Sequence, residues 1–179
     1  MKTLLALARL IDAVTDRFAV LAKWAILIAC AISAGNAVIR YSLDISSNAF
    51  LEIQWYLFAA CVMFGASQVL RVNEHVRVDI LYGIYPTRTK VIVDLVGICV
   101  FLIPLCAFIA WSTMPVLTQM YVTKEMSSNA GGLIRWPAML TIPLGMGLLI
   151  LQAVSEVIKR IGWLMHVYEM DTHYERPLQ

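Results

Sequence analysis

The sequence predicts an all-α integral membrane protein with four transmembrane helices and an amphipathic interfacial helix at the N-terminus. Hydrophobic residues make up 60% of the 179 residues, charged residues make up 15%, and the mean hydropathy is +0.75. Four stretches have the roughly 20 mostly apolar residues that a helix needs to cross a bilayer. No stretch alternates polar and apolar residues over ten positions, as membrane β-strands do. The composition and the net charge of +2 exclude a nucleic-acid-binding chain and disfavour a soluble enzyme.

The first element is the N-terminal segment, residues 1–17, which has a helical pattern of its own. Apolar residues recur at alternating steps of three and four, which places them on one face of a helix. The residues of this stripe are Leu4, Leu7, Ile11, Val14, Phe18 and Leu21. Two placements fit the pattern: the helix lies on the cytoplasmic leaflet, or the stripe docks on another membrane subunit.

The four spans form one predicted domain, residues 18–165, followed by a polar cytoplasmic tail, 166–179. The predicted spans are Phe18–Ile39, Phe50–Leu70, Val91–Trp111 and Ala138–Ile158. Pro104 predicts a kink in the third span, and Trp136-Pro137 is typical of a helix start at the membrane interface. The connecting segment 71–90 is expected to form a short surface helix or turn, and 112–137 an external loop.

The distribution of Lys and Arg predicts the orientation of the spans. Eleven of the 14 cationic residues lie at the end of the bundle that carries both termini and the loop 71–90; the other three are Arg40, Lys124 and Arg135. The sequence therefore predicts that both termini are cytoplasmic.

Ionisable residues lie near the ends of the predicted spans and leave their central turns without charge. Intramembrane charges usually mark an ion or substrate path, so the spans offer no evident transport site. We expect structural pairs instead. Glu52 is expected to pair with Arg40 or Arg135, and Asp94 or Glu156 with Lys23.

Small residues in the first span, Ala25, Ala29, Ser33 and Ala37, recur every four positions and allow helices to approach closely. They can pack within the bundle or against a partner protein.

Catalysis has little support in the sequence. His75, His166 and His173 all lie outside the spans, where they cannot serve as axial ligands of a membrane haem. We therefore predict no enzymatic activity and no cofactor.

Two longer motifs resemble a known family. Glu52-Ile53-Gln54-Trp55-Tyr56-Leu57-Phe58 opens the second span, and the next loop contains His75-Val76-Arg77-Val78-Asp79. These runs, with Ser128-Asn129-Ala130-Gly131-Gly132 and Trp136-Pro137, resemble the small membrane subunit of tripartite ATP-independent periplasmic (TRAP) transporters. The resemblance covers about residues 15–165.

The resemblance implies a role within a larger system. It implies a small scaffold subunit in the bacterial inner membrane, in contact with membrane lipids, a large TRAP membrane subunit and a periplasmic solute-binding protein. The large subunit would import an organic anion, such as a carboxylate, with a sodium gradient. The alternative is a non-catalytic four-helix anchor or assembly subunit of another complex. We expect structural or interface roles for Glu52, Trp55, His75, Arg77, Asp79, Asn129, Arg40 and Asp94.

Overall fold

A computed structural model describes residues 1–45, 47–73 and 84–169 of the chain. It is 84% helical and has no strands within these residues, and four of its helices are long and apolar enough to cross a membrane. The predicted fold class is therefore confirmed. The four helices are α1 (Lys2–Leu43), α2 (Asn48–Arg71), α3 (Thr87–Thr123) and α4 (Trp136–Leu164). Both α1 and α2 pack on each other and on α4, while α3 packs mainly on α4.

The N-terminal segment is the beginning of α1 and does not form a helix of its own. Its amphipathic pattern holds only in part. Leu4, Leu7 and Val14 of the apolar stripe are exposed, whereas Ala8 and Asp12 are buried. The reason is that Asp12 and Thr15 of this segment face α4 and form hydrogen bonds with it. Part of the stripe still faces the bundle, since Phe18 packs against Phe64 of α2.

Helix α3 is longer than the predicted span and contains an irregular turn. A π-helical stretch, Gly97–Leu102, ends two residues before Pro104. Proline lacks an N–H group, and its ring clashes with the carbonyl oxygen four residues earlier, so a wider turn accommodates it without ending the helix. The helix also continues through Pro115 to Thr123. The prediction of a loop beginning at residue 112 was therefore wrong, because the apolar residues around Pro115 extend the helix.

The interior of the bundle relies on close helix contacts. The buried residues Leu70, Ile98 and Ala153 join α2, α3 and α4. At the crossing of α2 and α4, a Cβ atom added to Gly145 would lie 2.6 Å from the Cβ atom of Met63. On α1, Ala25 and Ala29 of the small-residue stripe are buried, while Ser33 and Ala37 are exposed. The stripe thus packs within the bundle over its first half.

The chain places polar clusters at two levels of the bundle. One contains Glu52 of α2 and the loop between α3 and α4; we name this end of the bundle the loop end. The other contains Arg71 of α2 and lies toward the end where α1 begins and α4 finishes, which we name the terminal end. Glu52 and Arg71 are 19 positions apart, which is about 28 Å along a helix. This distance is close to the roughly 30 Å thickness of bilayer hydrocarbon.

Candidate functional site

The loop-end cluster is built around the carboxylate of Glu52, which is buried in the second turn of α2. Its Oε1 atom accepts hydrogen bonds from the Ser127 hydroxyl and, at 2.8 Å, from the Asn129 amide. Its Oε2 atom accepts a hydrogen bond of 2.6 Å from the backbone N–H of Leu133. One side chain of α2 thus binds three points of the loop that precedes α4.

The loop itself is folded as a short hairpin around this carboxylate. An isolated antiparallel bridge joins Met126 and Ile134, and the turn between them contains Gly131 at φ +72°. Gly132 follows, and a Cβ atom there would lie 2.8 Å from Oε1 of Glu52. Only glycine therefore allows the loop backbone to approach the carboxylate this closely.

Further contacts hold the loop to the helices on both sides. The Asn48 amide donates a hydrogen bond to the carbonyl oxygen of Ala130, and the Tyr56 hydroxyl donates one to that of Ile134. Tyr121 and Trp136 pack edge to face with ring centres 5.4 Å apart. These contacts join the beginning of α2, the end of α3 and the beginning of α4 into one unit.

A pocket of about 380 Å³ lies beside Glu52, between the loop-end halves of α2 and α4. The pocket extends as far as Met63, near the close crossing of α2 and α4 at Gly145. Its lining is mainly apolar and rich in methionine. The lining residues are Glu52, Trp55, Tyr56, Ala59, Met63, Met120, Ser127, Arg135, Ala138, Met139, Thr141 and Ile142. Such a lining fits an apolar group, and Arg135 is its one cationic side chain.

The terminal-end cluster is centred on Asp12 of α1, which bonds to three side chains of α4. Its Oδ1 atom accepts hydrogen bonds from Gln152 at 3.0 Å and Ser155 at 2.9 Å. The Nζ atom of Lys159 lies 2.8 Å from Oδ2 of Asp12. The Thr15 hydroxyl lies 2.7 Å from the amide oxygen of Gln152. A polar face of α1 therefore meets a polar face of α4.

Ion pairs extend this cluster to the other two helices. Lys159 and Arg160 both pair with Glu156, at 2.9 and 2.5 Å, and Arg160 also reaches Asp94 of α3 at 3.3 Å. Arg71 of α2 pairs with Asp16, and its Nε atom lies 3.9 Å from Asp12. All four helices thus contribute charges to the terminal-end cluster. Buried charges are costly unless they are paired and hydrogen-bonded, and here each acid has a basic partner.

The residues selected from the sequence have different surroundings in the structure. Asn129 donates a hydrogen bond to Glu52, and Trp55 is 64% exposed beside the pocket. Asp94 belongs to the terminal-end cluster. Arg40 lies exposed in the last turn of α1. The remaining candidates, His75, Arg77 and Asp79, lie outside the described residues, as does the middle of the loop, residues 74–83.

The expected pairing partners differ from the observed ones. The main partners of Glu52 belong to the loop, and Arg135 pairs instead with Glu125 at 2.8 Å. Asp94 and Glu156 pair with residues of α4 and not with Lys23. The reason is that Lys159 and Arg160 follow Glu156 within one helical turn and are therefore much closer to it.

Several residues of the terminal-end cluster were missed as site candidates. Asp12 and Thr15 are three positions apart, and Gln152, Ser155 and Lys159 recur at steps of three and four. Both sets are polar stripes at helical spacing. Two such stripes on apolar helices are the signal that could have predicted a polar contact between them.

The described residues contain no group of three or more His, Cys, Asp or Glu side chains that could hold a metal ion. The ion pairs and hydrogen bonds described above connect helices and fix a loop. Fold and polar clusters together define the class: this is a multi-pass helical membrane protein whose polar groups tie the ends of its helices to one another.

The comparison with known families is more specific. Residues 29–162 match the family model described as tripartite ATP-independent periplasmic transporters, DctQ component. This match covers most of the chain, so the protein belongs to the DctQ family of TRAP transporter components. No curated protein and no solved structure matches the chain.

Proposed function

We propose that this protein is the scaffold subunit of a TRAP-type secondary transporter in the bacterial inner membrane. It supports a large membrane subunit, which imports an organic anion with a sodium gradient, and it works with a periplasmic solute-binding protein. The observation that carries this proposal is the family match over residues 29–162, because the matching family is a component of tripartite transporters. A carboxylate is the favoured cargo class.

The distribution of charge favours a scaffold role over a transport role for this chain. At the terminal end the charged side chains pair with one another, and at the loop end Glu52 is held by hydrogen bonds from the loop. A transport path needs polar groups near the middle of the bilayer. Lys23 is the one Asp, Glu, Lys or Arg residue of the four helices between the levels of the two clusters. Handling of the cargo is therefore assigned to the large subunit.

Reconstitution into vesicles tests this assignment. We expect the large subunit and binding protein to accumulate the anion only when this chain is present, and vesicles holding this chain alone to accumulate none. Vesicles without protein are the control. Full uptake without this chain would contradict the scaffold role, and uptake by this chain alone would contradict the assignment of the cargo site.

We also propose that the terminal end faces the cytoplasm and the loop end faces the periplasm, in accord with the distribution of Lys and Arg. Cysteines introduced at Ser47 and Thr87 test this, because the two positions lie at opposite ends of the bundle. A membrane-impermeant thiol reagent applied to intact spheroplasts should label position 47 and spare position 87. Labelling at 87 would reverse the topology, and permeabilised cells control for reactivity.

The proposed role of Glu52 and Asn129 is to hold the periplasmic loop in a fixed shape beside Trp55. Glu52→Gln replaces one acceptor oxygen by an NH₂ group, so either the loop N–H or the pair of side-chain donors loses its partner. We expect a loss of roughly 1.5–3 kcal/mol in loop stability and faster proteolysis of the loop. Tyr56→Phe removes one exposed hydrogen bond and should change proteolysis much less. Equal protection in both variants would contradict this role.

His75, Arg77 and Asp79 are proposed as interface residues of the same scaffold, on the sequence resemblance alone. Arg40 is proposed as an interface residue because it is exposed at the periplasmic end of α1.

A further inference from the structure

Lys23 has no acidic partner among the described residues, although it lies on a helix that is expected to cross the membrane. Its side chain is exposed on α1. The carboxylates that the sequence offered as partners, Asp94 and Glu156, are held by Arg160 and Lys159. A lysine in this position needs water, a lipid headgroup or a carboxylate that lies outside the described residues, on this chain or on another.

The depth of Lys23 makes water an unsuitable partner. It lies seven residues from Asp16, which pairs with Arg71 at the terminal-end cluster. Seven residues correspond to about 10 Å along a helix. The neighbouring helix is still apolar at this level, where Ala22 lies 3.9 Å from the Cβ position of Gly65, six residues before the end of α2. Lys23 therefore lies inside the apolar layer.

Exposed apolar side chains surround Lys23 on both sides along α1. Val20 and Leu21 lie toward the terminal end, and Trp24 and Leu27 lie at the same level and beyond. Each of these four side chains is at least half exposed. This apolar helix face carries one cation that has no acidic partner in the described part of the chain. Such a face is complementary to a partner helix that carries one acid at the same depth.

Given the proposed function, on which this inference rests, we propose that the face of α1 around Lys23 binds a helix of the large membrane subunit. A carboxylate of that helix pairs with Lys23 in the cytoplasmic half of the membrane. The face consists of Val20, Lys23, Trp24 and Leu27. The pair fixes the depth at which the two subunits meet, because an unpaired carboxylate in the apolar layer is costly.

Replacement of the lysine by an apolar residue tests the pair without hindering membrane insertion. The variant is Lys23→Leu, and the measurement is the amount of large subunit that co-purifies with tagged small subunit from membranes. Loss of one partner from a desolvated charge pair weakens association strongly, so we expect the amount of co-purified large subunit to fall by roughly tenfold or more. Lys23→Arg keeps the charge and should retain the complex.

Arg17→Leu is the matched control, because Arg17 is also an exposed cation of α1 but lies near the level of the terminal-end cluster. It should co-purify like the unchanged chain. Undiminished co-purification of Lys23→Leu would overturn the proposal and would indicate that Lys23 reaches a lipid headgroup. If the unchanged chain captures no large subunit, the proposed function fails instead.

Photo-crosslinking gives a second measurement that does not depend on the stability of a charge variant. A photoreactive residue at Leu27 should form an adduct with the large subunit, whereas one at Phe108, exposed on α3, should not. An adduct at Phe108 with none at Leu27 would place the interface on α3 and overturn the proposal.

Discussion

The buried pair between Asp12 and Lys159 offers the sharpest test of what holds the bundle together. The side chains are 13% and 10% exposed, and the ammonium lies 2.8 Å from the carboxylate. Asp12→Ala removes the carboxylate and leaves the ammonium close to Glu156 alone. Ser155 and Gln152 also lose an acceptor. Removal of one partner from a buried pair costs about 3–5 kcal/mol, so we expect a loss of that size in the free energy of unfolding.

The protein provides a matched control in the pair between Glu125 and Arg135. Its separation is also 2.8 Å, but the side chains are 39% and 52% exposed. Exposed pairs contribute about 0.2–1 kcal/mol, so Glu125→Ala should have a small effect. The two pairs have the same separation, and they differ in burial and in the hydrogen bonds that Asp12 accepts from Gln152 and Ser155. The comparison therefore shows what burial and these hydrogen bonds add at equal distance.

The assay is equilibrium unfolding in mixed micelles, followed by helical circular dichroism, for both variants and the unchanged chain. A double-mutant cycle with Lys159→Met should give a coupling energy of about 0.5–3 kcal/mol. If Asp12→Ala and Glu125→Ala lose the same free energy within about 1 kcal/mol, the reasoning is refuted, because burial would then not determine the strength of these pairs.

Two further predictions concern glycines. Gly145→Ala should lower the free energy of unfolding by about 1–3 kcal/mol, since the new methyl group meets Met63. Gly147→Ala has open space at its Cβ position and should be nearly neutral in the same assay. Equal effects of the two variants would contradict the close crossing. Gly132→Ala should release the loop from Glu52, measured as faster proteolysis at unchanged helical content, and unchanged proteolysis would show that the loop adapts.

The four spans could be predicted from the sequence because their cause is local. Crossing hydrocarbon requires a length of apolar chain, and that property is visible in each stretch by itself. The end of α3 was predicted less well. The predicted loop began at residue 112, but the helix continues through Pro115 to Thr123, because apolar residues such as Met114, Val116 and Leu117 extend it.

The clusters depend on residues that are far apart in sequence, which explains why they were predicted only in part. Glu52 was one of the residues selected from the sequence, but its partners lie 75 to 81 positions away in a loop. Asp12 lies off the apolar stripe of the N-terminal segment, at a position where a carboxylate is usually exposed. Its burial depends on Gln152, 140 positions away, and no local pattern around Asp12 contains that information.

The two clusters together bear on the proposed scaffold role, because they fix the helices of an apolar bundle in register. Apolar packing alone gives little resistance to sliding of one helix along another, since each apolar contact that is lost is replaced by a similar one. A slide of α1 past α4 by one turn, about 5.4 Å, would separate Asp12 from Gln152, Ser155 and Lys159 at once. At the loop end, Glu52 holds α2 in register with the beginning of α4 through the loop. Each long helix of the α1, α2 and α4 core is therefore fixed along its axis by charged groups, and sideways by close contacts such as Gly145 with Met63. In the proposed scaffold role, this bundle would keep its helices in place against forces from the large subunit.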